Sequence, residues 1–197
     1  MSKAFAKWFD FFMTPIEKTK FKLIRQNLLI KAKGSVLEIG SGTGTNFPYY
    51  SEDVKVIAIE PSQDMIDRSK KKKDRSAANI QIQKESAETL PFQDGTFDTV
   101  VATLVLCTIP DPEQSLKEMK RVCKAGGRIL VFEHVKMDNP LLYKIQMRLT
   151  PYWKRICDGC CLDRDTEKTI KEVGFDIVEK KEFYNGLFVQ LELANTS

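Results

Sequence analysis

Strand-like and helix-like segments alternate five times along this chain of 197 residues. Because strands that alternate with helices pair in parallel and are covered on both faces, this order predicts a doubly wound α/β sheet. Two final apolar runs, 175–184 and 187–193, flank the turn dipeptide Asn185-Gly186 and predict a closing hairpin. We therefore expect seven strands, mostly parallel, with an antiparallel C-terminal edge hairpin. The first five strands are predicted at residues 35–39, 54–60, 79–84, 97–106 and 128–135.

Capping residues and helix breakers set the expected helix limits. A helix follows the second strand, with Ser62 as its N-cap and lysines at 70–73 in its last turns, where they complement the helix dipole. The segment 111–127 predicts a helix that starts behind an Asp-Pro pair and stops at a Gly-Gly pair. The segment 163–174 predicts a further helix, with Asp163 or Asp165 as its cap.

The composition is that of one ordinary globular domain. Hydrophobic residues make up 42% of the chain and charged residues 29%, without repeats, low-complexity tracts or a linker. We therefore expect a single domain over residues 1–197. No apolar run reaches the roughly 18 residues that a membrane span needs, and the N-terminus lacks the pattern of a signal peptide. Together with an odd number of cysteines, five, this predicts a cytoplasmic chain with reduced thiols.

The stretch VLEIGSGTG places three glycines in five positions directly behind the first strand. A dinucleotide-binding loop carries its third glycine at the position that Thr45 occupies here, and a Walker loop would continue with Lys-Ser or Lys-Thr. Both kinds of loop are therefore excluded. Glu38 precedes the glycines, and a carboxylate there suits a ligand with positive charge. Glu60 ends the second strand, where a carboxylate can accept both hydroxyls of a ribose.

Four blocks, in this order, resemble the class I S-adenosylmethionine-dependent methyltransferases. They are VLEIGSGTG, the strand-end acid in IAIEPSQDMI, ESAETLPFQDGTFDTVVATLVL and EMKRVCKAGGRILVFEHV. Each block alone is a weak signal, since glycine loops are common, but four in the family's order and spacing are specific. The resemblance covers most of the chain. It implies a Rossmann-like methyltransferase that uses S-adenosylmethionine as its cofactor and releases S-adenosylhomocysteine.

The resemblance also implies roles for individual residues around that cofactor. The backbone at Gly40 and Gly42 would approach its methionine part, and Glu38 would lie near its ammonium group. The family's Asp-Ala-Glu segment lines the adenine, and because Ser86 replaces the Asp here, a backbone amide of Ala87 would take over that contact. The end of the fourth strand borders the methyl group. The implied cofactor-binding residues are Glu38, Gly40, Gly42, Gly44, Glu60, Pro61, Met65, Ser86, Ala87, Glu88 and Leu104.

Three blocks refine the resemblance but leave the methyl acceptor open. TLVLCTIPDPE, FEHV and PYWKRICDGCCLDRDT look like the methyltransferase-like subfamily whose membrane-anchored animal members methylate alkyl thiols. The blocks up to FEHV also resemble bacterial phosphatidylethanolamine N-methyltransferases. The animal proteins begin with a hydrophobic anchor, which this sequence does not show. We expect a small-molecule acceptor such as an alkyl thiol; the alternatives are a phospholipid headgroup and a non-catalytic cofactor-binding role.

Two candidate catalytic residues lie late in the chain. His134 is the only histidine, and at the carboxyl end of the fifth strand it would face the ligand crevice as a general base. A hydrogen-bonded structural histidine is the alternative. Asp158 lies in an insert, 136–162, which we expect to cover the acceptor pocket, with Asp158 as a polar contact. The neighbouring cysteines lack the fourth ligand that zinc needs, so no metal site is predicted and buried, unreactive thiols are expected.

Positive charge concentrates at the N-terminus. Residues 1–33 hold eight bases against two acids, whereas the whole chain carries a net charge of +4. Aromatic residues recur at helical spacing in this segment, at Phe5, Trp8, Phe9 and Phe12. We expect a helical lid that also makes weak contact with a membrane surface; an interfacial helix and simple packing on the sheet are the alternatives. No nucleic acid is expected as a partner, because bases and aromatics are not interleaved on the expected active face.

Overall fold

The computed structural model describes residues 20–157 and 159–196 of the chain. This part contains five α-helices and seven strands, together with a short 3-10 helix at Phe47–Tyr49. The helices are α1 (Lys22–Leu29), α2 (Gln63–Lys73), α3 (Pro112–Val122), α4 (Pro140–Ile156) and α5 (Thr166–Glu172). The strands are β1 (Ser35–Ile39), β2 (Lys55–Ile59), β3 (Asn79–Gln83), β4 (Phe97–Thr103), β5 (Cys123–His134), β6 (Asp176–Phe183) and β7 (Phe188–Ala194).

All seven strands form one sheet in the order β3-β2-β1-β4-β5-β7-β6. The strands β1 to β5 are parallel, and β7 lies antiparallel between β5 and β6. The predicted doubly wound sheet with an antiparallel C-terminal edge is confirmed. Because the chain winds outward from the centre in both directions, the carboxyl ends of β1 and β4 meet at the switch point, where open α/β sheets bind their ligands.

Both faces of the central sheet are buried, because successive residues along a strand point to opposite sides. On one face, Val101, Leu130 and Phe132 belong to a core that includes the apolar side chains of α1. On the other face, Val100 and Ile129 belong to a core that includes apolar side chains of α3 and α5. The nearly continuous apolar runs of β4 and β5 in the sequence follow from this double coverage.

Strand β4 ends three residues earlier than predicted, at Thr103. The buried carboxylate of Glu133, near the end of β5, accepts hydrogen bonds from three consecutive backbone N–H groups, those of Val105, Leu106 and Cys107. Leu104 has a positive φ of 52° where the chain turns toward this acceptor. The prediction of a strand to residue 106 is wrong, because these N–H groups are satisfied by a side chain instead of a neighbouring strand.

Helix α3 also ends earlier than predicted, at Val122, and the residues from Cys123 to the two glycines belong to β5. The side-chain amide of Asn195 donates hydrogen bonds to the carbonyl oxygens of Lys120 and Cys123, at 3.0 and 2.8 Å. The last carbonyl groups of a helix have no intrahelical partner, and this amide supplies one. The predicted helix end at the glycines is wrong, because the capping residue follows β7, far along the chain.

Other predicted element ends agree with the structure. Asp111 caps α3 by accepting a hydrogen bond from a backbone N–H of its first turn at 2.9 Å, and Asp165 caps α5. Ser62 occupies the N-cap position of α2, but its side chain makes no capping hydrogen bond. Asn185 and Gly186 both have positive φ between β6 and β7, which confirms the predicted hairpin turn.

Helix α4 occupies most of the predicted insert 136–162. Asn139 caps it by accepting hydrogen bonds from the backbone N–H groups of Leu141 and Leu142. Pro140 occupies the first position, where its missing N–H would have no partner in any case. Among the described residues, none of the helices combines the length and the apolar character that crossing a bilayer requires.

Replacing Glu133 with Gln should change how the stability of the fold depends on pH. Burial raises the pKa of this carboxyl to about 7, although its backbone N–H donors lower it. The protonated carboxyl therefore stabilises the fold fully below its unfolded pKa of 4.5, and this stability is lost as the pH rises through about 7. Over this pH range, the free energy of unfolding measured with a chemical denaturant should fall by roughly 3 kcal/mol more for the wild type than for Glu133→Gln.

Glu118→Gln is the matched control for this experiment. Hydrogen bonds from Arg121 hold the pKa of Glu118 below its usual value, so this carboxyl stays ionised above about pH 5. Between about pH 5 and neutral pH, the free energy of unfolding of Glu118→Gln should therefore change with pH as that of the wild type does. The prediction fails if Glu133→Gln and the wild type show the same pH dependence.

Candidate active site

The glycine loop closes directly after β1 and lies next to the loop that follows β4. All three of its glycines have positive φ. A Cβ atom at Gly40 would lie 2.2 Å from Cγ2 of Val105, and one at Gly44 would lie 2.6 Å from the ring of Phe47. A Cβ atom at Gly42 would meet no heavy atom within 4 Å. The loop thus packs tightly at both ends, while Gly42 borders open space where a ligand can approach the backbone.

Glu60 lies just after β2 and faces the same loop. Its side chain is buried, and its carboxylate oxygens accept hydrogen bonds from the backbone N–H groups of Gly42 at 3.0 Å and Ser62 at 2.9 Å. The carboxylate is thereby fixed beside the glycine that borders open space, an arrangement that suits a ribose with two adjacent hydroxyls. Pro61 follows Glu60, and Met65 is buried in the first turn of α2.

The predicted adenine segment, 86–88, follows β3 at the same edge of the sheet. Ala87 is buried, whereas Ser86 is exposed and its hydroxyl donates a hydrogen bond to the carboxylate of Glu88. The Ser86 hydroxyl is therefore engaged within the segment itself. The adenine contact through the backbone of Ala87 stays a prediction.

Glu38 belongs to a buried polar network between β1 and α1. Its carboxylate accepts hydrogen bonds from the Tyr50 hydroxyl at 3.0 Å and the side-chain amide of Asn46 at 2.9 Å. Arg25 of α1 donates to the Asn46 amide oxygen and to the hydroxyl of Thr103, both at 2.8 Å. Sequence reasoning selected Glu38 alone. The other members of the network follow no spacing rule. Asn46 and Tyr50 come after the glycine loop, whereas Arg25 and Thr103 belong to α1 and β4.

The charge of Glu38 is set by opposing effects. Burial raises the pKa of its carboxyl to about 7, although the hydrogen bonds from Tyr50 and Asn46 and the charge of Arg25 lower it. The nearby carboxylate of Glu60 adds a small further rise. The carboxyl therefore changes its charge near neutral pH. A cation bound beside it would favour the ionised form.

His134 lies at the carboxyl end of β5, as predicted, and is only 6% exposed. Neither ring nitrogen has a hydrogen-bond partner among the described residues, so the alternative of a hydrogen-bonded structural histidine finds no support there. The ring packs edge-on against Phe188, with centroids 5.6 Å apart. Burial lowers the pKa of His134 to about 4, although the charge of Asp163 raises it, so the imidazole is neutral at physiological pH.

The segment after α4 packs against the loop after β4. The Arg164 guanidinium donates to carbonyl oxygens of that loop, including that of Ile109 at 2.7 Å. The backbone N–H of Cys161 donates to the carbonyl of Cys107 at 2.9 Å, and the Sγ atoms of Cys107 and Cys160 are 3.4 Å apart. Within the described ranges, no group of three His, Cys, Asp or Glu side chains is arranged to hold a metal ion.

Some predicted residues lie outside the described part of the chain. Asp158 falls between the two described ranges, and the N-terminal aromatics up to residue 19 precede the first. Their roles stay predictions. Phe21, which is described, packs edge-on against Phe132 and Phe188, with ring centroids 5.2 and 4.9 Å apart.

The predicted site residues meet at one edge of the sheet. The glycine loop follows β1, Glu60 follows β2, Ala87 follows β3, Leu104 follows β4, and His134 ends β5. Because these five strands are parallel, their carboxyl ends lie at the same edge. A ligand held at the glycine loop would therefore lie between the carboxylate of Glu60 and the loop after β4.

Comparisons with known proteins identify the family of the chain. A sequence profile described as "Methyltransferase domain" matches residues 37–131. The chain is 31% identical over 185 residues to the human thiol S-methyltransferase TMT1B, covering 85% of this chain and 73% of that protein. It is 29% identical over 185 residues to a phosphatidylethanolamine N-methyltransferase of Cereibacter sphaeroides, covering 91% of this chain and 89% of that protein.

A solved structure shares the fold over nearly the whole chain. It is a methyltransferase of Thermotoga maritima that depends on S-adenosylmethionine and is described as a possible histamine N-methyltransferase. Its TM-score is 0.70 at 20% identity, covering 98% of this chain and 97% of that one. Identity this low shows the fold alone, whereas the relative TMT1B shows the family. The chain belongs to the class I S-adenosylmethionine-dependent methyltransferases, and S-adenosylmethionine is its cofactor.

Proposed function

We propose that this methyltransferase transfers its methyl group to a small-molecule acceptor, an alkyl thiol. The observation that carries the proposal is the neutral imidazole of His134, which is buried at the end of β5 and has no hydrogen-bond partner in the described part of the chain. The similarity to the thiol S-methyltransferase TMT1B supports the same acceptor class. The proposed products are a thioether and S-adenosylhomocysteine.

The glycine loop and the two strand-end acids would hold the cofactor. Bound S-adenosylmethionine supplies an electrophilic methyl group on a positively charged sulfur. The open backbone at Gly42 would admit the methionine part, and Glu38 would face its ammonium group. The fixed carboxylate of Glu60 would accept hydrogen bonds from the ribose hydroxyls. Ala87 would border the adenine, and Leu104 would border the methyl group.

A thiol acceptor must lose its proton as the new C–S bond forms. Unperturbed thiols have a pKa of about 8.5 and are mostly protonated at neutral pH. His134 would accept this proton, because its pKa of about 4 keeps the imidazole in the neutral form. A base this weak does not ionise a free thiol beforehand. Proton transfer would therefore accompany methyl transfer, and the proton would then pass to solvent.

The insert and the N-terminal segment would cover the acceptor side of a single domain. Arg164, just after the insert 136–162, is hydrogen-bonded to the loop that follows β4 and so fixes the end of this segment beside the site. We propose that Asp158 contacts the acceptor and that residues 1–33 act as a lid. Both covers would exclude water from the acceptor and align it with the methyl group.

The proposed location is the cytoplasm. All five cysteines are free, which is typical of proteins in reducing compartments. Weak contact with a membrane surface would come from the basic and aromatic residues of the N-terminal segment. Nucleic acid is not a proposed partner.

Phosphatidylethanolamine is the second candidate acceptor. The chain is 29% identical over 185 residues to the phosphatidylethanolamine N-methyltransferase from Cereibacter sphaeroides and covers 89% of that protein, which supports this acceptor. An amine, like a thiol, must be deprotonated to attack a methyl group, so the same imidazole would serve either acceptor.

Glu60→Ala should weaken the binding of S-adenosylmethionine by about 30-fold or more. The substitution removes the acceptor for the ribose hydroxyls, and hydrogen bonds to charged groups each contribute about 1.5–3 kcal/mol. Titration calorimetry measures the affinity. Glu52→Ala, which removes an exposed acid of a surface loop, is the control and should bind as the wild type does. Equal affinities of Glu60→Ala and Glu52→Ala would exclude the ribose role.

Binding of S-adenosylmethionine should also depend on pH through Glu38. Because the pKa of Glu38 is about 7 and the ligand is cationic, affinity should rise with pH up to about 7, by at most tenfold per pH unit. In Glu38→Gln the affinity should be weaker and nearly constant over the same range. Calorimetry from about pH 5.5 to 7.5 tests this. A wild-type affinity that does not change with pH would contradict the contact between Glu38 and the ammonium group.

His134→Ala should lower turnover on the true acceptor by about 100-fold or more, with little change in cofactor affinity. Release of S-adenosylhomocysteine is measured with alkyl thiols, phosphatidylethanolamine vesicles and quinone-like phenols. His134→Gln, which keeps a polar side chain without a base, should lose as much activity as His134→Ala. Wild-type turnover on phosphatidylethanolamine alone would select the second candidate. Cofactor binding without turnover on any acceptor would favour a non-catalytic binding protein.

A further inference from the structure

Helix α4 is attached to the domain through polar side chains. Of its 17 residues, the buried ones are Gln146 and Thr150. The Gln146 side chain accepts a hydrogen bond from the Met137 backbone N–H at 2.8 Å and donates to the carbonyl oxygens of Val135 and Leu162, at 3.0 and 2.9 Å. The Thr150 hydroxyl forms further hydrogen bonds to the helix backbone and to the segment that follows the helix. Hydrogen bonds therefore attach the helix to the domain, and most of its large apolar side chains are not needed for this attachment.

Most of the large apolar side chains of α4 are exposed. Seven of the eleven exposed large apolar side chains in the described ranges are on this one helix. At 3.6 residues per turn, five of them fall within an arc of about 80° that runs along the helix for about 22 Å. Their exposed fractions range from 46% to 68%. The five residues of this apolar stripe are Leu141, Ile145, Leu149, Tyr152 and Ile156.

Positive charge borders this stripe. The helix carries four bases and no acid between Pro140 and Ile156. Lys144, Arg148 and Arg155 lie along one edge of the stripe, within an arc of about 40° next to it. An exposed apolar stripe with cations beside it is complementary to a surface that offers hydrocarbon next to negative charge.

We propose that α4 is a membrane-surface helix whose apolar stripe lies in the interface of an anionic lipid bilayer, with the helix axis parallel to the membrane. A bilayer offers apolar and anionic groups continuously over the whole length of the helix. Tyr152 and the adjacent Trp153 are side chains that favour the boundary between water and hydrocarbon. The proposal concerns residues of α4 alone, and it does not depend on the identity of the methyl acceptor.

Because α4 lies close to the candidate active site, its contact with a membrane would also affect that site. The helix begins shortly after His134, and the segment that follows it is hydrogen-bonded to the loop after β4. A helix docked on a bilayer would therefore place the acceptor side of the site next to lipid. Acceptors that partition into membranes would reach the site from there.

Binding to vesicles tests the proposal with the full-length chain. Wild-type protein should co-sediment with phosphatidylcholine vesicles that contain phosphatidylserine, and bind pure phosphatidylcholine vesicles more weakly. Ile145→Gln with Leu149→Gln should bind about tenfold more weakly, because two interfacial side chains are lost. In the double variant Arg148→Gln with Arg155→Gln, the affinity for these vesicles should fall about fivefold for each cation removed. Most of the dependence of binding on phosphatidylserine should also be lost.

Val178→Gln is the matched control, since Val178 is an exposed apolar residue on β6, away from α4. It should bind vesicles as the wild type does. All substituted residues are exposed, so circular dichroism and cofactor affinity should be unchanged. Vesicle binding that is absent, or equal in the wild type and the α4 variants, would overturn the proposal. A dimer in light scattering that only the α4 variants disrupt would instead identify a second copy as the partner.

Tryptophan fluorescence distinguishes α4 from the N-terminal segment. The chain has two tryptophans, so Trp8→Phe leaves Trp153 as the only one. Its emission should shift to shorter wavelength with anionic vesicles and be quenched by brominated lipid. The emission of Trp153→Phe, which reports only on Trp8, shows whether the N-terminal segment also contacts lipid. Unquenched Trp153 on bound vesicles would overturn the proposal.

Discussion

The carboxylate of Glu133 holds the loop after β4 in place at the carboxyl edge of the sheet. It is fully buried at the end of β5 and holds three successive backbone N–H groups of the loop after β4. That loop places Val105 against Gly40, and its carbonyl oxygens receive the guanidinium of Arg164. The glycine loop on one side and the insert on the other are therefore both positioned against a segment that one side chain fixes. A buried carboxylate with this many donors is costly to replace, because each N–H would lose its acceptor.

The sequence predicts those parts of the fold whose cause is local. Apolar periodicity and turn residues identify all seven strands, the mostly parallel sheet and the hairpin at Asn185-Gly186. The two errors have distant causes. Strand β4 stops early because of an acceptor 26 to 28 residues away, and α3 stops early because of Asn195, 72 residues beyond Cys123. Periodicity within a window of 10 to 20 residues contains no information about either.

The positions of the two strand-end acids were predictable from the sequence, but their environments were not. Glu38 and Glu60 are the same residue type at corresponding strand ends, and both were selected for that reason. Backbone N–H groups hold Glu60, whereas side chains of Asn46 and Tyr50 hold Glu38. Burial raises the pKa of Glu38 to about 7, although these hydrogen bonds lower it. Glu60, held by backbone N–H groups, is a fixed hydrogen-bond acceptor. Glu38 titrates near neutral pH, so its charge would respond to the charge of a ligand bound beside it. This distinction arises from partners that no motif contains.

Helix α4 shows a further limit of sequence patterns. Its periodicity identifies an amphipathic helix, and the usual expectation is that the apolar face packs on the core. Here Gln146 and Thr150 face the protein, because they satisfy backbone and side-chain groups of the flanking segments, and the apolar stripe faces outward. With α4 docked on a membrane, acceptors that partition into lipid would be favoured. With His134 as the base, acceptors that carry a proton on the attacking atom would be favoured. An apolar thiol and a lipid amine meet both conditions, so the similarity to both kinds of relative is consistent with one site at a membrane surface.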